Sequence, residues 1–239
     1  MEMSGRTTRC RKWYELNLAG LRLRELQRAG GPGAALFGLC LWRIPGLLGV
    51  RMPGGLVFPA EVTVAWEVDV EELEEQDDLV DLGFRPLGAF ELPEFSGDND
   101  TLLLRDRDRT TYCQVVSARV KGESGYGLSF ESYLAGEPEQ LLKTVQSWKT
   151  SPLDRPGDFP CQCVRGPAED VYEAHREWVA SFGGELVRTT WDHFFDACVH
   201  DHRTLMKHWA ARGVYVEARP HLVRKLLKEK GLRQEKREA

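Results

Sequence analysis

The chain has 239 residues, of which 42% are hydrophobic, 29% charged and 10% aromatic; this is a globular composition and excludes a wholly disordered chain. A chain of this length buries roughly 70–75% of its unfolded surface, so folding requires neither a disulfide nor a structural metal. The net charge of −5 excludes a generally basic surface, and nucleic acid is not expected as a partner.

Residues 12–28 carry both periods. Tyr14, Leu16 and Leu18 alternate as in a strand, while the Leu, Arg, Glu and Gln content favours helix up to the break at Gly30-Gly31-Pro32-Gly33. The apolar stretch 34–58 is the only membrane candidate. Arg43 and Arg51, each costing about 2.5–3.5 kcal/mol near a helix centre, and Pro45 and Pro53 argue that it does not span a bilayer. Peripheral membrane contact remains open to it. Residues 1–60 are therefore expected as a helical or irregular apolar segment packed on the main body.

From Glu61 the pattern is clearer. Val62, Val64, Trp66 and Val68 alternate with smaller or polar residues, a strand with one buried face. Asp69, with Glu72 three residues on, reads as an N-cap opening a helix to Leu82, stopped by Gly83. Strands are expected over Phe84–Leu92, Thr101–Arg105, Thr111–Val120 and Tyr126–Leu134, with a charged turn at Asp106–Arg109 and a second at Lys121–Gly125. Periodicity does not decide between strand and helix for Gln140–Thr150, and Cys161–Val164 reads as a last strand. Short connections make the central strands an antiparallel meander.

After Pro167 the period changes. Val171, Tyr172, His175, Trp178, Val179 and Phe182 form a stripe with helical spacing over Ala168–Phe182, closed by Gly183-Gly184. Thr190 caps a longer helix, Trp191–Arg212, with Gly213 as its stop. Residues 219–239 form a basic helical tail whose Leu222, Val223, Leu226 and Leu227 make an apolar edge for docking.

The fold predicted is α+β: a predominantly antiparallel sheet of five to seven strands over about 61–165, one face covered by the C-terminal helices. The body spans 61–218, between the N-terminal segment and the tail. Trp178, Phe195 and Trp209 are expected as core anchors.

For chemistry, the helix 191–212 stands out because it holds four of the six histidines. Asp192, Asp196 and His200 recur every four residues, and His193 lies two turns from His200. Such a carboxylate–imidazole face suits a divalent transition metal, although any amphipathic helix also lines up its polar residues. His175 and His202, nearer the apolar stripes, are expected to be buried or partly buried and hydrogen-bonded. The cysteines, Cys10, Cys40, Cys113, Cys161, Cys163 and Cys198, are scattered without finger-like spacing and read as free thiols of a reducing compartment. Met1–Arg11 has no apolar stretch, so no secretory signal is expected and the location is expected to be cytoplasmic. No nucleophile elbow, phosphate-binding loop or dinucleotide fingerprint occurs.

The strand–helix–strand–strand–strand order of residues 62–120, with Leu82-Gly83-Phe84 after the helix, is similar to one module of the vicinal-oxygen-chelate fold. That resemblance would imply His or Glu metal ligands on the strands, but no histidine precedes His175, and no site residue follows from it. The functional expectation is a soluble, non-catalytic module binding a small molecule or a protein, without a cofactor. The alternative is a metal-assisted enzyme using Asp192, His193, Asp196 and His200.

Overall fold

The computed structural model describes residues 7–8, 10–22, 24–28, 53–60, 65–66, 75–91, 98–120, 123–147, 155, 157 and 159–234. Its largest element is a seven-stranded sheet. The strands, in chain order, are β4 (Ala65–Trp66), β5 (Arg85–Glu91), β6 (Asp98–Arg105), β7 (Tyr112–Val120), β8 (Glu123–Leu134), β9 (Gln140–Gln146) and β10 (Cys161–Val164). Their spatial order follows the sequence, β10-β9-β8-β7-β6-β5-β4. Every pair is antiparallel except β9 with β10. The segment after β9 therefore returns to the start of its neighbour before β10 begins, which the sequence pattern did not indicate. The strand expected over 62–68 is described only at Ala65–Trp66, and the N-cap expected at Asp69 lies outside the described residues.

Apolar side chains occupy both faces of this sheet. On β6, Leu102, Leu103 and Leu104 are consecutive and all buried, and neighbouring strand residues point to opposite sides. Register carries the division across the sheet: Leu104 faces Cys113 and Cys113 faces Phe130, whereas Leu103 faces Gln114 and Tyr112 faces Glu131. One face holds Leu102, Leu104, Cys113, Val115, Leu128 and Phe130, and packs against α1 (Glu75–Asp81) and α2 (Ala168–Phe182) through Leu79 and Val171. The opposite face holds Leu103, Tyr112, Tyr133 and Leu141, and packs against α3 (Trp191–Ala211) through Phe194 and Phe195. The expectation that the helices share one face is thereby corrected. Residues 183–190 carry the chain around the end of β8: Glu185 O accepts from Ala135 N, Val187 N donates to Tyr133 O, and Thr189 N donates to Arg109 O at 2.7 Å.

The described residues of the N-terminal segment include β1 (Thr7–Thr8), β2 (Trp13–Asn17) and β3 (Pro53–Pro59), with a 3-10 turn at Leu18–Gly20 and helical residues at 24–28. Strand β2 is central in a second, three-stranded sheet, between β3 and β11 (Tyr215–Glu217). The C-terminal half of α3 packs on this sheet, with Met206, Trp209 and Ala210 against Tyr14, Leu21 and Tyr215. A helix of 21 residues is roughly 32 Å long, enough to serve both sheets. The tail helix α4 (Pro220–Glu229) lays Val223, Leu226 and Leu227 against Cys10, Trp13 and Ala218, and β12 (Arg233–Gln234) pairs in parallel with β1.

Glycine at the helix ends explains why the elements stop where they do. Gly83 has φ +91°; its N–H bonds to Val80 O while Phe84 N–H bonds back to Leu79 O. This paired closure needs a left-handed residue, which glycine adopts without a Cβ clash. Gly213, at φ +72°, closes α3 in the same way, with its N–H on Ala210 O and Val214 N–H on Trp209 O. In both cases the following residue, Phe84 or Val214, is driven straight into a core.

Two buried carboxylates hold the second sheet together. Glu15 on β2 receives two bonds from Arg219, at 2.7 and 3.0 Å. Glu25 receives Arg212 Nη2 at 2.7 Å and the Arg22 amide at 2.7 Å. Both glutamates are fully buried, and a buried charge is tolerated when it is paired and hydrogen-bonded.

Among the expected anchors, Phe195 is buried, but Trp178 is only half-buried and stacks edge-on to an exposed Phe182. Trp209 is partly buried in the cluster of the three-stranded sheet. Two stability predictions follow from this packing. Phe194→Ala should cost about 3–5 kcal/mol, clearly more than Trp178→Ala, in urea unfolding; equal costs would contradict the packing. Arg219→Ala, which removes the guanidinium bonded twice to the buried Glu15 carboxylate, should cost about 3 kcal/mol in the same assay.

Candidate functional site

The sheet carries a buried polar group set on each face. Under α2, His175 is fully buried and bonded at both ring nitrogens: Nε2 to Ser132 Oγ at 3.1 Å and Nδ1 to Thr144 Oγ1 at 2.8 Å. Ser132 continues to Thr111 Oγ1 at 3.1 Å, and Gln162 donates to Thr144 at 2.9 Å. Burial lowers His175 to about 4, so the imidazole is neutral at pH 7. His175, Ser132, Thr144 and Thr111 are all buried and bonded to one another, with Gln162 at the partly exposed end.

The set under α3 is open. A cleft of about 340 Å³ lies between the β8–β9 turn and α3, lined by Tyr133, Pro138, Glu139, His193, Asp196, Ala197, His200 and Asp201. The five α3 residues are spaced i, i+3, i+4, i+7 and i+8, a single helical face. Thr190 starts that helix by accepting the His193 amide at 3.2 Å, which fixes the imidazole at the mouth of the first turn. His193 Nδ1 lies 2.9 Å from the Tyr112 hydroxyl, and its Nε2 lies 2.8 Å from Glu139 Oε2. Tyr112 is itself held by the Thr190 backbone, donating to its carbonyl at 2.8 Å and accepting from its amide at 2.9 Å. The two rings stack at 6.0 Å. His193 is thus a strut between the sheet and the turn that presents Glu139.

At the floor, Tyr133 donates to Asp201 Oδ2 at 3.2 Å. Burial, followed by the charge of Glu131, raises Asp201 to about 7. Glu131 is buried and forms an ion pair with Lys143, its direct neighbour across β8 and β9. Burial also holds the possible nucleophiles in their protonated forms: Cys198 is pushed up to about 12, and Tyr112, Tyr133 and Cys113 rise as well. The five described cysteines, Cys10, Cys113, Cys161, Cys163 and Cys198, are free thiols.

Of the four residues proposed from sequence, His193, Asp196 and His200 line the cleft. Asp192 is exposed and outside its lining. No three His, Cys, Asp or Glu side chains among the described residues are grouped to hold a metal ion. His202 bonds the Pro59 carbonyl at 2.9 Å, tying α3 to β3. Sequence reasoning missed Asp201, Glu139, Tyr133 and Tyr112. Asp201 shares the helical face of His193 and His200 at i+8, a spacing visible in the sequence. Tyr112 and Tyr133 arrive through strand register and Glu139 through the β8–β9 turn, neither of which the helix pattern contains.

Among the described residues, no helix is long and apolar enough to cross a membrane. The chain matches no family model, curated protein or solved structure.

The two buried titratable groups give opposite pH dependences. His175 is held below its ordinary 6.5, so the unfolded chain takes up a proton first, and stability is lost as pH falls from about 6.5 to about 4. The full loss is about 3 kcal/mol. In urea unfolding, His175→Gln should remove that part of the acid sensitivity. Asp201 is held above its ordinary 3.8, so its contribution is lost as pH rises from about 4 to about 7. Asp201→Asn should therefore be more favourable, relative to wild type, at pH 8 than at pH 4. A variant-to-wild-type difference independent of pH would contradict either assignment.

Proposed function

We propose that the protein is a non-catalytic ligand-binding module whose ligand is a small organic molecule held in the cleft between the β8–β9 turn and α3. The observation that carries this reading is a cavity of about 340 Å³ with an apolar lining from Tyr133, Pro138 and Ala197 and polar groups converging from both walls. Small-molecule sites have this size and this mixture. The thiols and phenols around it are protonated, so the cleft offers binding contacts and no activated nucleophile.

The alternative, a metal-assisted enzyme on the Asp/His face of α3, draws on His193, Asp196 and His200 lining one cleft. It requires His193 to give up Glu139 or Tyr112 before a ring nitrogen can reach a metal.

A fragment screen by amide chemical-shift mapping tests the first reading. Fragments should shift the amides of Ala197, His200 and Asp201, and His200→Trp, which fills the mouth from an exposed position, should abolish those shifts while keeping the fold. Hits that all map elsewhere would contradict it. Stoichiometric zinc or manganese in untagged protein, lost in His193→Ala, would favour the enzyme.

A further inference from the structure

The cleft is charged asymmetrically. Three of its lining side chains are carboxylates, Glu139, Asp196 and Asp201, and none is Lys or Arg. Glu139 is engaged by His193. The nearby cation, Lys143, is bound to Glu131. Asp201 has its Oδ2 on Tyr133, and its Oδ1 has no protein partner among the described residues. A partly buried carboxylate with an unbonded oxygen, whose neighbouring cation Lys143 is already paired with Glu131, is only partly compensated for its desolvation. An anionic ligand would meet the same carboxylates as like charges.

We propose that the cleft selects a small primary amine with an apolar body, its ammonium group on Asp201 Oδ1 and Asp196 and its body against Tyr133, Pro138 and Ala197. This rests on the ligand-binding reading above and adds the chemical class. An ammonium group supplies up to three donors and one positive charge, which matches one free carboxylate oxygen and a second acid nearby. The Tyr133 hydroxyl holds Asp201 from the strand side, and the Tyr133 ring offers an aromatic surface to the cation or to the ligand body.

Binding is coupled to protonation at the floor. The charged and titratable groups around Asp201 are His193, Asp196, Cys198 and His200 on its own helix, Glu131 and Tyr133 on β8, Lys143 on β9, and Glu139 in the turn. Asp201 titrates near neutrality, and only its ionised form attracts an ammonium. Affinity therefore falls as pH drops below about 7, by up to tenfold per unit.

The test titrates benzylamine, benzyl alcohol and benzoate into the full chain at pH 8, followed by amide shifts of Ala197, His200 and Asp201. Benzylamine should bind at least tenfold more tightly than the other two, and at least tenfold more weakly at pH 5.5 than at pH 8. Asp201→Asn should reduce it to the level of the alcohol. Asp196→Asn, on an exposed position, should weaken it at least threefold and serves if the first variant does not fold. Equal binding of alcohol and amine at the same amides overturns the amine class while sustaining the ligand-binding reading. Tighter binding of benzoate, or an amine affinity indifferent to pH and to both variants, overturns it as well. No shift from any of the three removes both readings.

Discussion

Three consecutive leucines, Leu102, Leu103 and Leu104, are buried on a single strand. Because alternate strand residues face opposite ways, they require apolar cover on both sides of the sheet, and the rest of the structure is organised to provide it. Helices α1 and α2 cover one side and α3 the other. The chain must therefore pass around the end of β8 after α2, and residues 183–190 do so while bonding to Tyr133, Ala135 and Arg109 along the way. The same passage delivers Thr190 to Tyr112, which fixes where α3 begins.

That starting point sets the character of the cleft. Once Phe194 and Phe195 are buried against Phe90, Tyr112 and Tyr133, the adjoining helical face, His193, Asp196, Ala197, His200 and Asp201, is turned towards the β8–β9 turn. The polar groups beneath α2 meet a different fate: His175, Ser132 and Thr144 are buried and bonded to one another, with Gln162 bonding Thr144 from a partly exposed position. The cleft and its polar lining lie on the α3 side of the sheet. The C-terminal half of α3 continues beyond it to the three-stranded sheet, where the buried Glu15 and Glu25 pair with Arg219 and Arg212 and join N-terminal to C-terminal segments.

Much of the central architecture was legible from alternation and helix stops. The strands β5 to β8, both long helices and the glycine stops at Gly83 and Gly213 follow from residue order alone. Two-sided burial was also written in Leu102-Leu103-Leu104, since a one-faced strand alternates. The amphipathic reading of α2 and α3 does not say which face of the sheet each one covers, because a stripe specifies that a helix is buried and not against what. Strand β2 was obscured by helix-favouring Leu, Arg and Glu, whose local preference is overruled by pairing with β3 and β11. Half of the cleft was likewise readable as spacing on α3. Tyr133 and Glu139 were not, because they depend on which residues strand register and the β8–β9 turn bring opposite that helix.

The two-faced sheet is tested most directly by double-mutant cycles in urea unfolding. Phe90 and Phe194 have ring centroids 5.7 Å apart on one face, and Phe130 and Tyr172 have centroids 5.1 Å apart on the other. Leucine substitutions within each pair should couple by about 0.5–1.5 kcal/mol, while Phe130 with Phe194 should be additive within about 0.5 kcal/mol. Coupling of Phe130 to Phe194 as strong as that within the pairs would place α2 and α3 on one face and contradict the account.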